Sequence, residues 1–318
     1  MTMKVNFSLC LVFCLLFSGC NNTPPNAPTD TPVKGTIKLS VDESLYPLAD
    51  AEIKAFETDY KNAHFIPTYT SEAEAFNDFI KDSARVIIVS RPLSEKEKNY
   101  FQQKQLTVVA NKIAIDGIAL VTNNKNADST FTYNEFKSVF SGNITTWKQL
   151  RPSLPSTKIE IVFDNKQSSI ATYISDKLHI AKTPANWTAL NSDTAVLNYV
   201  QHHENAIGVT GVGWVSETAD SLVKSFQKKV KVVGLSSDSA GLDTTDYLQP
   251  FQAYIALKTY PLRRNIYIIS HESYMGLGTG FVNYIMGDNG QKIVRLLGLL
   301  PGNADIHIVV PVRTRNHY

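Results

Sequence analysis

"LTVVANKIAIDGIALVTNN", residues 106–124, is the stretch whose reading decides the fold. It offers two apolar strands in succession, with Asp116-Gly117 between them and no helical spacing. Its surroundings read differently. Upstream, "TIKLSV", "HFIPTY" and "RVIIVS" are apolar runs of strand length, while "YPLADAEIKAFETDY", "SEAEAFNDFIKD" and "SEKEKNYFQQK" carry apolar residues at helical spacing. Strands alternating with helices imply a mostly parallel sheet with helices on both faces. Residues 106–124 break that rhythm, and the break marks the passage from one lobe to another.

The alternation resumes beyond it. "FTYNEFKSVFSG" reads as a helix, "KIEIVF" as a strand and "FDNKQSSIATYI" (163–174) as a strand end feeding a helix. "SDTAVLNYVQHH" is a further helix, followed by strands in "NAIGVTG" and "KVKVVGL". "FQAYIALKTYPLRRNIYIIS" pairs two more strands around a Tyr-Pro turn. "GTGFVNYIMGDNGQKIVRLLGLL" gives two helices separated by "GDNG", and "ADIHIVVPV" a last strand. There is no internal repeat in this region.

The first residues set the compartment. Lys4 supplies a small positive charge, and Ser8 to Phe17 form an apolar run, too short for a membrane span of roughly 20 residues and suited to a secretory signal. The run ends in "FSGC", which resembles a bacterial lipobox and so implies cleavage before Cys20 and lipidation of its sulfur. Residues 1–19 are then a lipoprotein signal peptide. Residues 20–34 are the lipidated cysteine and a linker, since "NNTPPNAPTDTPVKG" has too few apolar side chains to build a core. Of the 3 cysteines, Cys10 and Cys14 lie in the removed segment, so the mature chain has no internal disulfide. A net charge of +2 spread over interspersed acids and bases leaves no footprint for nucleic acid.

Five segments, taken in order, carry a family resemblance: "SVDESLYPLADAEIKAFE", "SRPLSEKE", "DGIALVTNN" with "FTYNEFKSVFSGNITTWKQL", "NAIGVTGVGWV", and "GFVNYIMGDNGQKIVRLLGLLP". Together they resemble the periplasmic phosphate-binding proteins of ABC transporters. The resemblance implies a two-lobed α/β fold of the type II periplasmic binding protein class, with the ligand in the cleft between the lobes. Lobe I is then expected from 35–116 plus 271–318, and lobe II from 117–270. Ligand contacts are implied at Ser44, Leu45 and Tyr46, at Ser71, at Ser90 and Arg91, and at Gln167, Ser168, Ser169 and Ile170. Helix N-termini suit an oxyanion because their free N–H groups and dipoles favour negative charge.

This chain departs from the family pattern at its loops. Gln167-Ser168-Ser169-Ile170 stands where Gly-Ser-Gly-Thr or Ser-Ser-Gly-Thr is usual, and Asp164 lies about where an arginine is expected. "VDES" brings in Asp42 and Glu43, and "SEAEA" brings in Glu72 and Glu74. Carboxylates facing the cleft oppose an anion, although one of them can accept a hydrogen bond from a protonated oxyanion. Arg91 is the cation placed to compensate by bidentate pairing; its alternative is a surface ion pair with Glu95.

Other motifs point nowhere further. "GLGTGF" (276–281) lacks the P-loop lysine and the dinucleotide spacing. "QHHE" (201–204) puts adjacent histidines on different helix faces and offers no spaced metal ligand set. No nucleophile elbow, zinc motif or catalytic cysteine appears. The expectation is a monomeric solute-binding protein facing the periplasm, without cofactor or catalysis, tethered to a membrane at Cys20. It would pass a small anion, phosphate foremost, to an ABC transporter permease. A sensor or accessory envelope lipoprotein is the alternative, as is an envelope hydrolase using Ser168 or Ser169.

Overall fold

The computed structural model describes residues 30–216, 229–237 and 246–302. The first part of the chain runs β1 (Lys34–Asp42), α1 (Tyr46–Asp59), β2 (Asn62–Thr70), α2 (Glu72–Ile80), β3 (Val86–Val89), α3 (Glu95–Gln103) and β4 (Val109–Asn123). The middle holds β5 (Thr130–Phe131), α4 (Tyr133–Phe140), α5 (Trp147–Leu150), β6 (Glu160–Phe163), α6 (Ser169–Leu178), β7 (Trp187–Ala189), α7 (Asp193–His202) and β8 (Ala206–Gly211). Then come β9 (Val230–Val232), β10 (Gly234–Leu235), α8 (Gln252–Ala256), β11 (Arg263–Ser270), α9 (Leu277–Met286), α10 (Asp288–Leu296) and β12 (Leu300–Pro301).

The strand order β2-β1-β3-β11-β4-β8-β6-β7 describes two sheets that share β4. Residues 109–123 are one strand of 15 residues, not two. Its first half pairs antiparallel with β11, up to Gly117 opposite Arg263. From Ile118 onward it pairs antiparallel with β8 in the second sheet. The sheets therefore change over at Asp116-Gly117, where the sequence placed its break, but without interrupting the backbone. Glycine is needed there because a Cβ at 117 would lie 2.8 Å from both Ile255 and Pro250 side chains.

Pairing within each outer part is parallel: β1 with β2 and β3, and β6 with β7 and β8. The antiparallel pairs all involve β4 or β11, the strands that link the two halves. β11 was expected with the second lobe, up to residue 270; it lies instead between β3 and β4 in the first sheet. The segment 251–258, read as a strand, is the short helix α8, and "KVKVVGL" splits into β9 and β10. The last expected strand, 304–312, lies outside the described residues, as does Cys20.

Both sheets are covered on both faces, which is why β3 reads as the unbroken apolar run Val86–Val89. Val86 and Ile88 join Leu39, Val41, Phe56 and Phe281 beneath α1 and α9. Ile87 and Val89 face Phe76, Phe79 and Phe101 of α2 and α3. In the second half, Phe136, Phe140, Trp147, Ile170 and Ile174 form one core layer, and Val121, Val196, Leu197 and Val200 the other.

Candidate functional site

Helices that follow parallel strands begin at the strands' carboxyl ends, so the loops before α1, α2, α6 and α7 gather on one side of the sheets. Each of the last three is capped by serine: Ser71 accepts from Glu74 N, Ser168 from Ala171 N and Ser192 from Ala195 N. The positive helix ends face the junction between the halves.

An arginine absent from the expected site lies at its centre. Arg264, 4 % exposed, enters from β11. Its Nε donates to Asp116 Oδ2 at 3.1 Å, and Nη2 lies 3.0 Å from the same oxygen. Nη2 also donates to Ser44 Oγ at 2.9 Å, and Nη1 to Ser169 Oγ at 2.9 Å. The two hydroxyls are 3.4 Å apart. One guanidinium thus spans a serine from each half of the molecule. Burial works against its charge, but Asp116 and Asp42 raise its proton affinity above the ordinary value.

The signal for Arg264 was present in "RRNIYIIS". Residues two apart on a strand share a face, and Arg264 is in phase with the buried Ile266 and Ile268, whereas Arg263 is in phase with exposed Asn265. An arginine on the core face of a strand needs a partner, and Asp116 is that partner.

Acids surround this centre. Asp42 accepts from the Ser44 amide at 3.2 Å and its hydroxyl at 3.1 Å, fixing the turn that presents Ser44. Glu43 accepts from the Asp193 amide at 3.3 Å, at the start of α7. Asp164 accepts from Asn165 Nδ2 at 2.6 Å, and Asp193 from the Thr210 hydroxyl. Glu43, Asp164 and Asp193 each place a carboxylate oxygen within 4.8 Å of the others'. Burial, then the charge of Asp164, pushes Glu43 up to about 7; burial, then Asp42, pushes Asp164 up to about 6. Asp193 is held well above the usual carboxylate range by burial and the same neighbours. Sequence reading named Glu43 and Asp164 but passed over Asp193, which lies in an ordinary helix-opening "SDTAV".

The remaining expected contacts are distributed around this core. Ser71 Oγ donates to Gln167 Oε1 at 3.0 Å, a bond across the cleft. Ser90 gives both its amide (2.7 Å) and its hydroxyl (2.8 Å) to Glu72 Oε1. Arg91 pairs bidentately with Glu97, each contact 2.9 Å, and lies over the Phe76 ring at 3.7 Å. Its Nε is 3.6 Å from Glu72. Its ion-pair partners are Glu97 and Glu72, where Glu95 was the expected alternative. Leu45 and Ile170 point into the two cores, and Tyr46 stacks on Trp214 at 5.6 Å. A cavity of about 670 Å³ opens beside the centre, with Glu43, Ser71, Glu74, Asn165 and Gln167 among its walls.

Chemically, the centre offers a guanidinium and two hydroxyls beside the start of α6, next to three clustered acids. Ser169 Oγ meets a guanidinium and another hydroxyl, neither of them a base that would activate it as a nucleophile.

Known proteins share this architecture. The chain is 24% identical over 282 residues to the phosphate-binding protein PstS of Staphylococcus epidermidis, covering 87% of this chain and 82% of that protein. A Clostridium perfringens protein assigned as a phosphate ABC transporter's substrate-binding protein, solved with phosphate bound, matches with a TM-score of 0.68 at 21% identity. That match covers 84% of this chain and 99% of the other. An ABC-type phosphate transport receptor from Vibrio cholerae matches with a TM-score of 0.60 at 20% identity, over 84% and 100% of the two chains. These likenesses show a two-lobed α/β binding fold. The profile of the PBP superfamily domain matches residues 26–289, and the chain belongs to that family.

Proposed function

We propose that this chain is a solute-binding protein that captures a small oxyanion, phosphate foremost, between its lobes for ABC-type uptake. The observation that carries the reading is Arg264, a buried guanidinium in reach of Ser44 from one lobe and Ser169 from the other. Charge-assisted bonds of this kind are the strong ones in oxyanion recognition. The S. epidermidis relative is named a phosphate-binding protein, and the C. perfringens neighbour holds phosphate. Both support phosphate here. The lobes are proposed to divide at Gly117 and near Leu262, with residues 118–262 forming the second.

The geometry supports one ligand set. Ser44, Ser169 and Arg264 are the direct contacts, with the amides opening α6 beside them. Ser71 and Gln167 latch the cleft mouth, and Ser168 caps α6. Ser90 and Arg91 are engaged by Glu72 and Glu97, which makes them supports of the first lobe. Binding takes place without chemistry on the ligand. Tethering at Cys20 would hold the protein on the outer face of a membrane beside its permease.

Isothermal titration of the mature chain with phosphate and sulfate tests this. Phosphate is expected to bind, with Ser169→Ala and Ser44→Ala each weakening it about tenfold, the worth of one hydrogen bond to a charged group. Absence of heat and of any thermal shift at millimolar phosphate would remove phosphate as the ligand.

A further inference from the structure

The three acids Glu43, Asp164 and Asp193 are arranged for something other than an anion. Their carboxylate oxygens approach within 4.8 Å of one another. Asp164 and Asp193 are fully buried. Among the described residues, Asp164 Oδ1 and Asp193 Oδ2 have no partner within hydrogen-bond geometry, although each side chain's second oxygen does and Ser168 lies close enough to Asp164 to favour its charge. A buried carboxylate oxygen without a donor is met by a proton, as at Glu52, or by a cation, and three carboxyls from both halves converging on one point suit the cation. Arg264 gives its hydrogen bonds to Asp116, Ser44 and Ser169 and reaches Asp164 only through space.

We propose that Glu43, Asp164 and Asp193 form a calcium site that joins the two lobes at the floor of the cleft. Three carboxylates are hard oxygen ligands, suited to calcium, magnesium or manganese rather than softer metals. Calcium–oxygen bonds of 2.3–2.6 Å put opposed ligand oxygens up to about 5 Å apart, whereas magnesium's shorter bonds require about 4 Å. The three oxygens lie within 4.8 Å of one another, inside the span that calcium's longer bonds and flexible geometry accommodate. Glu43 comes from the turn after β1, whereas Asp164 follows β6 and Asp193 opens α7. A bound ion bridges the halves and stabilises their closed arrangement. It also masks negative charge next to Arg264, so cation and oxyanion strengthen each other, and by linkage the coupling is equal in both directions. The sequence concealed the site because its ligands stand 121 and 29 positions apart, with no local motif.

The site stands on geometry alone, and the experiment keeps it separate from the phosphate reading. Mature protein stripped with a chelator is titrated with calcium, then magnesium, in phosphate-free buffer, and separately with phosphate in the absence of calcium. One calcium per chain is expected, with a rise in melting temperature and at least about tenfold weaker magnesium binding. Asp193→Asn should abolish the calcium response while the metal-free variant melts no lower than its parent, because an amide oxygen still accepts from the Thr210 hydroxyl. Glu43→Gln, on a half-buried turn, carries the same test if Asp193→Asn does not fold. No calcium heat and no thermal shift at millimolar calcium overturns the site, as does calcium binding that both variants leave unchanged. Phosphate binding in the calcium-free arm, whatever its outcome, bears on the other reading only.

Discussion

Glu52 sits on α1 with both carboxylate oxygens buried and without a hydrogen bond among the described residues, and burial pushes its pKa up to about 9. Folding therefore takes up a proton at this residue between its unfolded value near 4.5 and about 9. The folded state holds more protons than the unfolded one across that window, so stability is greatest below it and falls as pH rises, by at most about 1.4 kcal/mol per pH unit. Glu52→Gln removes the titration. Urea melts of the variant should lose this slope, with its gain over the parent larger at pH 8 than at pH 5. Arg264 presents the opposite balance: removing it leaves Asp116, 1 % exposed, as a buried charge without its partner. Arg264→Leu is expected to cost about 3–5 kcal/mol in urea denaturation at neutral pH. Part of this was legible in advance. Ser44 and Ser169 were picked out as helix-start hydroxyls, whereas Arg264 was hidden in a strand pattern that looked like plain core. Arg91 was read from its place after Ser90, but what it meets is set by Glu97, two turns of chain away, and by the Phe76 ring.

At the scale of elements, the start of the described chain is joined to α9. Asp30 Oδ2 accepts from Leu277 N at 2.7 Å, Oδ1 accepts from the Tyr274 hydroxyl at 2.6 Å, and Arg85 lies 3.3 Å away. A Cβ at Gly280 would lie 1.8 Å from Pro32 O, so glycine lets the segment run along the helix. Asp30→Ala should release residues 30–34, seen as faster limited proteolysis ahead of Gly35, at a cost of about 1 kcal/mol for the lost cap. "TPVKG" gave no hint of this docking, because its composition is that of a linker and its partners lie some 245 residues on. The regular helices and strands were legible where periodicity was strong, as in α1, α2, α7 and β3. Short elements went unread: β5 has two residues and α5 four, too few to show any period, while Asp116-Gly117 made the single 15-residue β4 look like two strands. "FQAYIALK" is apolar enough for a strand, yet Tyr254 and Ile255 pack inward from a single turn of helix.

Contacts on the cleft side hold the molecule closed. Among the described residues, Ser44–Ser169, Arg264–Ser169, Ser71–Gln167, Glu43–Asp193 and the Trp214 indole on Ser44 O join the halves there, and β4 and β11 join them along the back. Polar side-chain contacts opposite two continuous strands describe a hinge. Gln167→Ala removes one latch, and small-angle scattering of the ligand-free variant should give a larger radius of gyration than the parent. An unchanged radius would mean that the Ser71–Gln167 bond has no part in closure. The two-lobed plan was legible because residues 106–124 break the helical rhythm; which strand returns to the first sheet was not, because pairing partners in a sheet leave no trace in local sequence.

The position of β11 also governs the order of assembly. It inserts between β3 and β4, and therefore pairs residues 263–270 with chain made far earlier, at 86–89 and 109–117. Until that segment arrives, β3 has only β1 beside it and the first half of β4 has an open edge. The second half, contiguous from 118 to 262, closes on contacts of shorter separation. Loop-closure entropy makes long-range pairing slow, so the half that begins the chain is the half that finishes folding last. A chain stalled before residue 263 would expose the β3 and β4 edges to other molecules, a template for aggregation that the last strand of the hinge normally covers.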